Sequence, residues 1–371
     1  MPNEQDVNVE LNLPINLGLN DGTICPKACI DVMQRHKSIT SLRNYTTSLN
    51  NPVLDTISQI DGVAPDNIYL ANGSGPILKQ CIPHLVRSKI KSSPGKIFKH
   101  LVSKNGFPIV TGRLTYFKVP LKASKAGLTV KLLPLGKETN WKLRPEDVAA
   151  ALKETPGLAY ICNPNNPTGQ LMLTRDEIEG LVKRFPDSIF WVDEAYVQYI
   201  SKDEHRPLSD LVPKYNNLFV SRTFSFAYGL AGVRMGYLLG PKKEIQDFRD
   251  QVTDYCFGTL QEQLAIAALT DKEHLPALWE MTANDAKKVT DVLNKYDVEV
   301  VPSKTHFLLC RFPDTRRSGK WLSEKLLEKG IKIKHFVPVQ DENYDEYFRI
   351  TLGVGIENDF LCEKLEEILR S

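Results

Sequence analysis

Residues 219–238 read Phe-Val-Ser-Arg-Thr-Phe-Ser-Phe-Ala-Tyr-Gly-Leu-Ala-Gly-Val-Arg-Met-Gly-Tyr-Leu. With Leu218, the opening residues form an apolar, β-branched run that predicts a strand over 218–221. A segment of small residues follows, carrying Thr223, Ser225, Phe226 and Arg234. Residues 221–240 contain no lysine; the next are Lys242 and Lys243. What this stretch anchors is decided by the turns upstream of it.

Three of those turns follow predicted strands. Ile68–Ala71 reads as a short strand, Asn72-Gly73-Ser74-Gly75 as a turn, and 77–86 as a helix. Backbone N–H groups at a helix N-terminus carry partial positive charge, and glycine lets an anion approach them closely, so this turn suits a phosphate. Taken alone it is equally an ordinary turn. Leu158–Cys162 reads as a buried strand running into Asn163-Pro164-Asn165-Asn166-Pro167-Thr168-Gly169, where two prolines and a glycine fix a rigid turn. The strand over 188–192 ends at Asp193-Glu194-Ala195-Tyr196. An acid there faces the crevice where open α/β sheets bind ligands, or else caps a helix. Thr174 and Glu177 form a capping box ahead of a helix to 184.

With 371 residues, 42% hydrophobic and 25% charged, the chain has material for two units with proper cores. A net charge of +2 gives no case for nucleic acid. Lys89, Lys91, Lys96, Lys99 and Lys104 read as a solvated face. The N-terminus is not patterned as a signal peptide, and no apolar run approaches a membrane span. Seven scattered cysteines predict reduced thiols and a cytoplasmic protein; Cys25 and Cys29 lack the second close pair that zinc would require. Helices are expected over 27–35, 52–62, 144–155, 243–252, 275–296, 321–329 and 356–369. Strands are expected over 128–135, 298–301, 306–312, 331–334 and 347–353. The helix from 243 is expected to bridge the units, with a small α/β unit after it.

Together these motifs resemble fold-type I pyridoxal-phosphate (PLP) enzymes, the class I/II aminotransferases, and among them the histidinol-phosphate aminotransferases. The resemblance runs from about residue 15 to 371. It implies an α/β fold with a large domain built on a mostly parallel sheet (40–250). A smaller α/β domain would come from both ends of the chain (1–39 and 251–371). In the family the opening stretch reads Ser-Lys-Ala-aromatic-Gly-Leu-Ala-Gly-x-Arg-x-Gly, and its lysine forms the Schiff base with PLP. Phe226 stands at that lysine's position, and Arg234 keeps the family's offset of eight residues. By the same resemblance Ser225, Arg234 and the Gly73–Ser74–Gly75 turn hold the phosphate, and Thr223 belongs to the cofactor-binding set. Tyr116 stacks on the pyridine ring, Asp193 keeps its nitrogen protonated, and Asn166 and Tyr196 bond its phenolic oxygen. Tyr45 reaches the phosphate of the other subunit in a homodimer. Arg349, in Phe-Arg-Ile-Thr-Leu-Gly, forks onto the substrate carboxylate, and Asn20 lies near the substrate. His306 replaces a family asparagine. On its own each tyrosine is a packed residue and Arg349 a surface arginine.

Phenylalanine can neither hold PLP as an imine nor move a proton. Three explanations stay open. The chain is an altered form of an ordinary aminotransferase; or a lysine-free enzyme that binds PLP or pyridoxamine phosphate (PMP) non-covalently and uses Tyr196 or Tyr116 as base; or a binding pseudoenzyme. The expected function is amino transfer between a small amino acid or amine, possibly phosphorylated, and a keto acid, with covalent anchoring lost. Phospho-amino-acid decarboxylation is the alternative.

Overall fold

Mostly apolar runs of four to six residues set the strands of the main sheet, and amphipathic segments between them set most of the helices. The computed structural model describes residues 11–35, 51–91, 107–125, 127–251, 257–314, 316–336 and 344–370. In chain order it begins with β1 (Ile15–Asn16), α1 (Lys27–Arg35), α2 (Pro52–Asp61), β2 (Ile68–Ala71), α3 (Ser74–Lys91), β3 (Ile109–Gly112), α4 (Lys118–Lys125) and β4 (Val130–Leu133). Next come α5 (Pro145–Glu154), β5 (Leu158–Cys162), α6 (Arg175–Arg184), β6 (Ile189–Asp193), β7 (Leu218–Thr223) and β8 (Gly236–Leu239). The C-terminal part holds α7 (Lys242–Gln251), α8 (Thr259–Thr270), α9 (His274–Asn294), β9 (Glu299–Val300), β10 (Phe307–Arg311) and α10 (Gly319–Glu328). It closes with β11 (Ile331–Lys332), β12 (Lys334–His335), β13 (Tyr347–Thr351) and α11 (Gly355–Arg370).

The main sheet has seven strands in the order β2-β8-β7-β6-β5-β3-β4. Strands β3 to β7 run parallel, and β8 is antiparallel to both β7 and β2. Every residue of β5, β6 and β7 is buried. Such strands are covered on both faces, which is why β5, most of β6 and the first half of β7 read as apolar runs. Their side chains alternate between two cores. Ala159, Ile161, Phe190, Val192 and Val220 point into one, Tyr160, Trp191 and Phe219 into the other. α2, α5, α6 and α8 contribute buried residues to the first core, α3, α4 and α7 to the second.

A smaller antiparallel sheet, β12-β13-β10-β9, packs with α9, α10 and α11 around a separate core. β1 pairs in parallel with β11, so Ile15 and Leu17 join this C-terminal core.

The expected single strand over 331–334 is two: β11 pairs with β1 and β12 with β13, because the backbone changes partner at Ile333. β3, α4 and α8 were not anticipated. In α8, Leu264, Ala265 and Ala268 are buried and most other residues half-buried, so no polar stripe marks it as a helix. The division expected at 39/40 and 250/251 groups α1 and α8 with the small sheet. Their buried side chains, Cys29 and Leu264 among them, lie in a core of the main sheet.

Candidate active site

Every turn singled out upstream leaves the C-terminal end of a strand of the main sheet, the edge at which open α/β sheets bind ligands. Asp193 is the last residue of β6 and is buried. Its Oδ2 accepts the Tyr160 hydroxyl at 2.8 Å and its Oδ1 the Ser221 hydroxyl at 3.0 Å. Ser221 in turn accepts the Trp191 indole N–H at 3.0 Å. Burial pushes the Asp193 carboxyl up to about 6 in spite of these donors. It is therefore ionised at neutral pH in a place that favours a cationic partner. Glu194, the next residue, accepts Arg222 Nε and Nη2 at 2.9 and 2.7 Å, and Arg222 also pairs with Asp61. This buried ion cluster fixes the strand end that carries Asp193.

Beside it, β7 and β8 bring together three elements of a kind that suits an anion. Thr223 lies opposite Gly236 in the strand register, and a Cβ on Gly236 would lie 2.8 Å from the backbone nitrogen of Ser74, where α3 begins. Thr223 Oγ1 donates to Ser225 Oγ at 2.9 Å and accepts the Ser225 N–H at 3.1 Å. Gly73 has φ +94°, and a Cβ there would stand 2.6 Å from Arg234 Nη2. Only glycine allows the guanidinium to lie on this turn. The guanidinium, two hydroxyls and the open N–H groups of a helix thus share one corner, with Arg234 exposed.

The opposite wall is polar and buried. The Tyr196 phenolic oxygen accepts Asn20 Nδ2 at 3.0 Å and Asn166 Nδ2 at 3.1 Å. Burial pushes its pKa well up. Arg349, in β13, donates from Nη1 to Asn166 Oδ1 at 2.7 Å and from Nη2 to the Gly18 carbonyl at 2.6 Å. Its buried Nε has no partner among the described residues. Burial lowers its pKa to about 10. Thr351 donates to Asn20 Oδ1 at 2.8 Å, so β13 and the N-terminal segment hold each other.

Phe226 lies half-buried against this wall. Its ring stacks on Tyr196, centroids 4.6 Å apart and planes 17° from parallel. The fully buried His306 lies 6.1 Å from it and stacks on Tyr199 at 4.5 Å. Burial holds the imidazole down to about 3, so it is neutral, with its Nε2 3.0 Å from the Asn20 carbonyl.

Asn20, Asn166, Tyr196, Phe226 and Arg349 are thus one connected wall, Gly73, Ser74, Thr223, Ser225 and Arg234 one corner, and Asp193 stands at the end of β6 held by Tyr160 and Ser221. Gly75 follows in the first turn of α3. Tyr116 lies close enough to both Asp193 and Arg234 to feel their charges; burial first, then Asp193, pushes its phenol up to about 12. Thr115 ties this loop to the Asn-Pro turn through Asn165, at 2.7 Å. Tyr45 lies outside the described residues. Sequence reasoning did not single out Lys334, an exposed residue whose Cα pairs with that of Arg349 across β12 and β13, and whose pKa partial burial and Arg349 lower. The signal was a short Ile-Lys-Ile-Lys run, in which Lys332 and Lys334 read alike until the change of strand partner separates them.

The fold is that of a fold-type I PLP-dependent transferase. The family model for aminotransferase class I and II matches residues 97–365, and the chain belongs to that family of enzymes, whose cofactor is PLP. It is histidinol-phosphate aminotransferase-like. It is 32% identical over 309 residues to the histidinol-phosphate aminotransferase of Brevibacillus brevis, covering 83% of this chain and 78% of the relative. It is 28% identical over 336 residues to histidinol-phosphate aminotransferase 2 of Haemophilus influenzae, covering 90% and 84%. The fold is also that of the histidinol-phosphate aminotransferase of Sinorhizobium meliloti in complex with PLP (TM-score 0.81, 23% identity, 97% and 91% covered). It is likewise that of an L-threonine-O-3-phosphate decarboxylase from Porphyromonas gingivalis (TM-score 0.75, 21% identity, 96% and 100% covered). No described helix is long and apolar enough to cross a membrane.

Proposed function

We propose that this chain holds PLP or PMP non-covalently, in a site built for amino-group transfer, with Phe226 in the place of the family's lysine. The observation that carries this reading is the stack of Phe226 on Tyr196: the residue eight before Arg234 turns its side chain into the polar wall, where a lysine amine would meet the cofactor.

The residues present fit the cofactor. Gly73, lacking a Cβ, lets the Arg234 guanidinium lie on the turn, and this corner of Arg234, Thr223, Ser225 and the start of α3 suits a phosphate. Asp193 offers a buried negative charge to a protonated pyridine nitrogen. Tyr196, already accepting two N–H donors, directs its own proton toward a further acceptor, as the phenolic oxygen would be. Tyr116 supplies a ring face. When bound, PLP supplies an electron sink that makes an amino-acid α-proton removable.

Phe226 can carry no proton, so another group, such as Tyr196 or Tyr116, would have to move it. Both phenols are pushed above their ordinary range and are poor bases at neutral pH. Turnover is accordingly expected to fall at least ~10²-fold below that of a lysine-bearing relative. Arg349 suits the substrate carboxylate, with Asn20 beside it. Lys334 next to Arg349 suits a second anionic group, favouring a phosphorylated amine or amino acid. The same pair of cations keeps phospho-amino-acid decarboxylation as a second reading, and release of CO₂ rather than a keto acid distinguishes it. We further propose a cytoplasmic homodimer, with Tyr45 of each chain at the other's site.

The test is native mass spectrometry with PLP and PMP, before and after borohydride reduction. Stoichiometric cofactor that is lost on denaturation after reduction is the expected result, and Phe226→Lys should convert it to a borohydride-fixed adduct with transaminase activity. An adduct on the unmodified chain would mean that another lysine serves. No cofactor in either form would leave a pseudoenzyme, as would tight binding without product.

A further inference from the structure

A groove of about 590 Å³ lies between α3 and α4, outside the wall and corner described above. Its floor is apolar: Leu78, Ile82, Ile109 and Val119 are all buried. Its rim carries the exposed lysines Lys79 on α3 and Lys118, Lys122 and Lys125 on α4. Among the described residues none of the four pairs with a carboxylate, whereas nearby Lys131 and Lys137 pair with Glu154 and Glu299. The reason is in the sequence. Between Asp66 and Glu138 there is no acidic residue, against thirteen lysines and arginines. The near-neutral net charge conceals this, since the acids lie elsewhere.

We infer that this groove binds a small amphipathic anion: an aromatic or aliphatic body on the floor, and a carboxylate, sulfonate or phosphate among the lysines. A volume of this size suits a ligand of ordinary metabolite dimensions. Four like charges around an apolar trough repel one another and are relieved by an anion. One end of the groove is formed by Gly75 and Tyr116, which the proposed function places at the cofactor. A ligand here would touch the back of that site without occupying it. The groove's own evidence, lysines and floor, does not depend on the cofactor reading.

The probe is anilinonaphthalenesulfonate, with phenylnaphthylamine, the same rings without the sulfonate, as control. Fluorescence titration of the full chain should give one sulfonate probe per chain, weakening with salt. The amine should bind much less. Lys79→Glu/Lys122→Glu and Lys118→Glu/Lys125→Glu, all at exposed positions, should each raise the probe's Kd about tenfold or more. Lys→Arg at the same sites should restore it. Equal binding of the neutral amine, or no effect of charge reversal, would overturn the inference. So would displacement of the probe by PMP, which would locate it in the cofactor site. Failure of the probe to bind, with charge reversal splitting a dimer, would overturn it in favour of a second copy filling the groove. Failure of PMP itself to bind would sink the cofactor reading and leave the groove's result standing.

Discussion

At the scale of the residue, Asp193 concentrates the electrostatics of the site. Its folded pKa of about 6 lies above the ordinary aspartate value. Its contribution to stability is therefore fully present below the unfolded pKa, near 4, and is lost as pH rises through about 6. Replacing it by asparagine removes that loss. Cofactor-free Asp193→Asn should gain on the parent chain by roughly 2–3 kcal/mol between pH 4 and pH 7. Denaturant titration at each pH reads this out, and a constant difference would refute it. With PMP bound the order should reverse, because the carboxylate then has its cation. Asp193 was legible in the sequence because its position at a strand end is topological. His306 was legible only as a departure from the family. Its neutral state, and its contact with the Asn20 carbonyl, come from burial among Tyr196, Tyr199 and Phe226, which no local pattern encodes.

At the scale of the element, the turn between β2 and α3 joins a backbone requirement to a chemical one. Gly73 needs its positive φ, and it needs to lack a Cβ because Arg234 lies over it. Gly73→Ala should cost about 1–3 kcal/mol from backbone strain. It should also displace the guanidinium, lowering PMP affinity about tenfold or more by calorimetry. A variant that loses stability but keeps PMP affinity would remove Arg234 from the phosphate site. The strand ends β2, β5, β6 and β7 were readable because each combines an apolar run with a turn of distinctive chemistry. α4 and α8 were not. α4 is eight residues, three of them lysines, with a serine and an internal proline, and α8 has no polar face.

At the scale of the molecule, we propose that the boundary between the large and small units runs nearer α9 than residue 250, with α1 on the large side, as the cores suggest. Sequence order alone could not show this, because the segment after β1 leaves one core for the other. That crossing is dense. Ile15 pairs with Ile331, Gly18 accepts Arg349, and Asn20 holds both Tyr196 and Thr351. A Cβ on Gly22 would strike the Phe226 carbonyl, and one on Gly229 the Ile24 carbonyl. Some ten residues of backbone therefore lace the small sheet to the loop that carries Phe226. Heating puts that lacing to use: neither sheet can melt without unlacing the other. Scanning calorimetry should record a single endotherm with matching van't Hoff and calorimetric enthalpies, and two separated peaks would show the lacing to be slack.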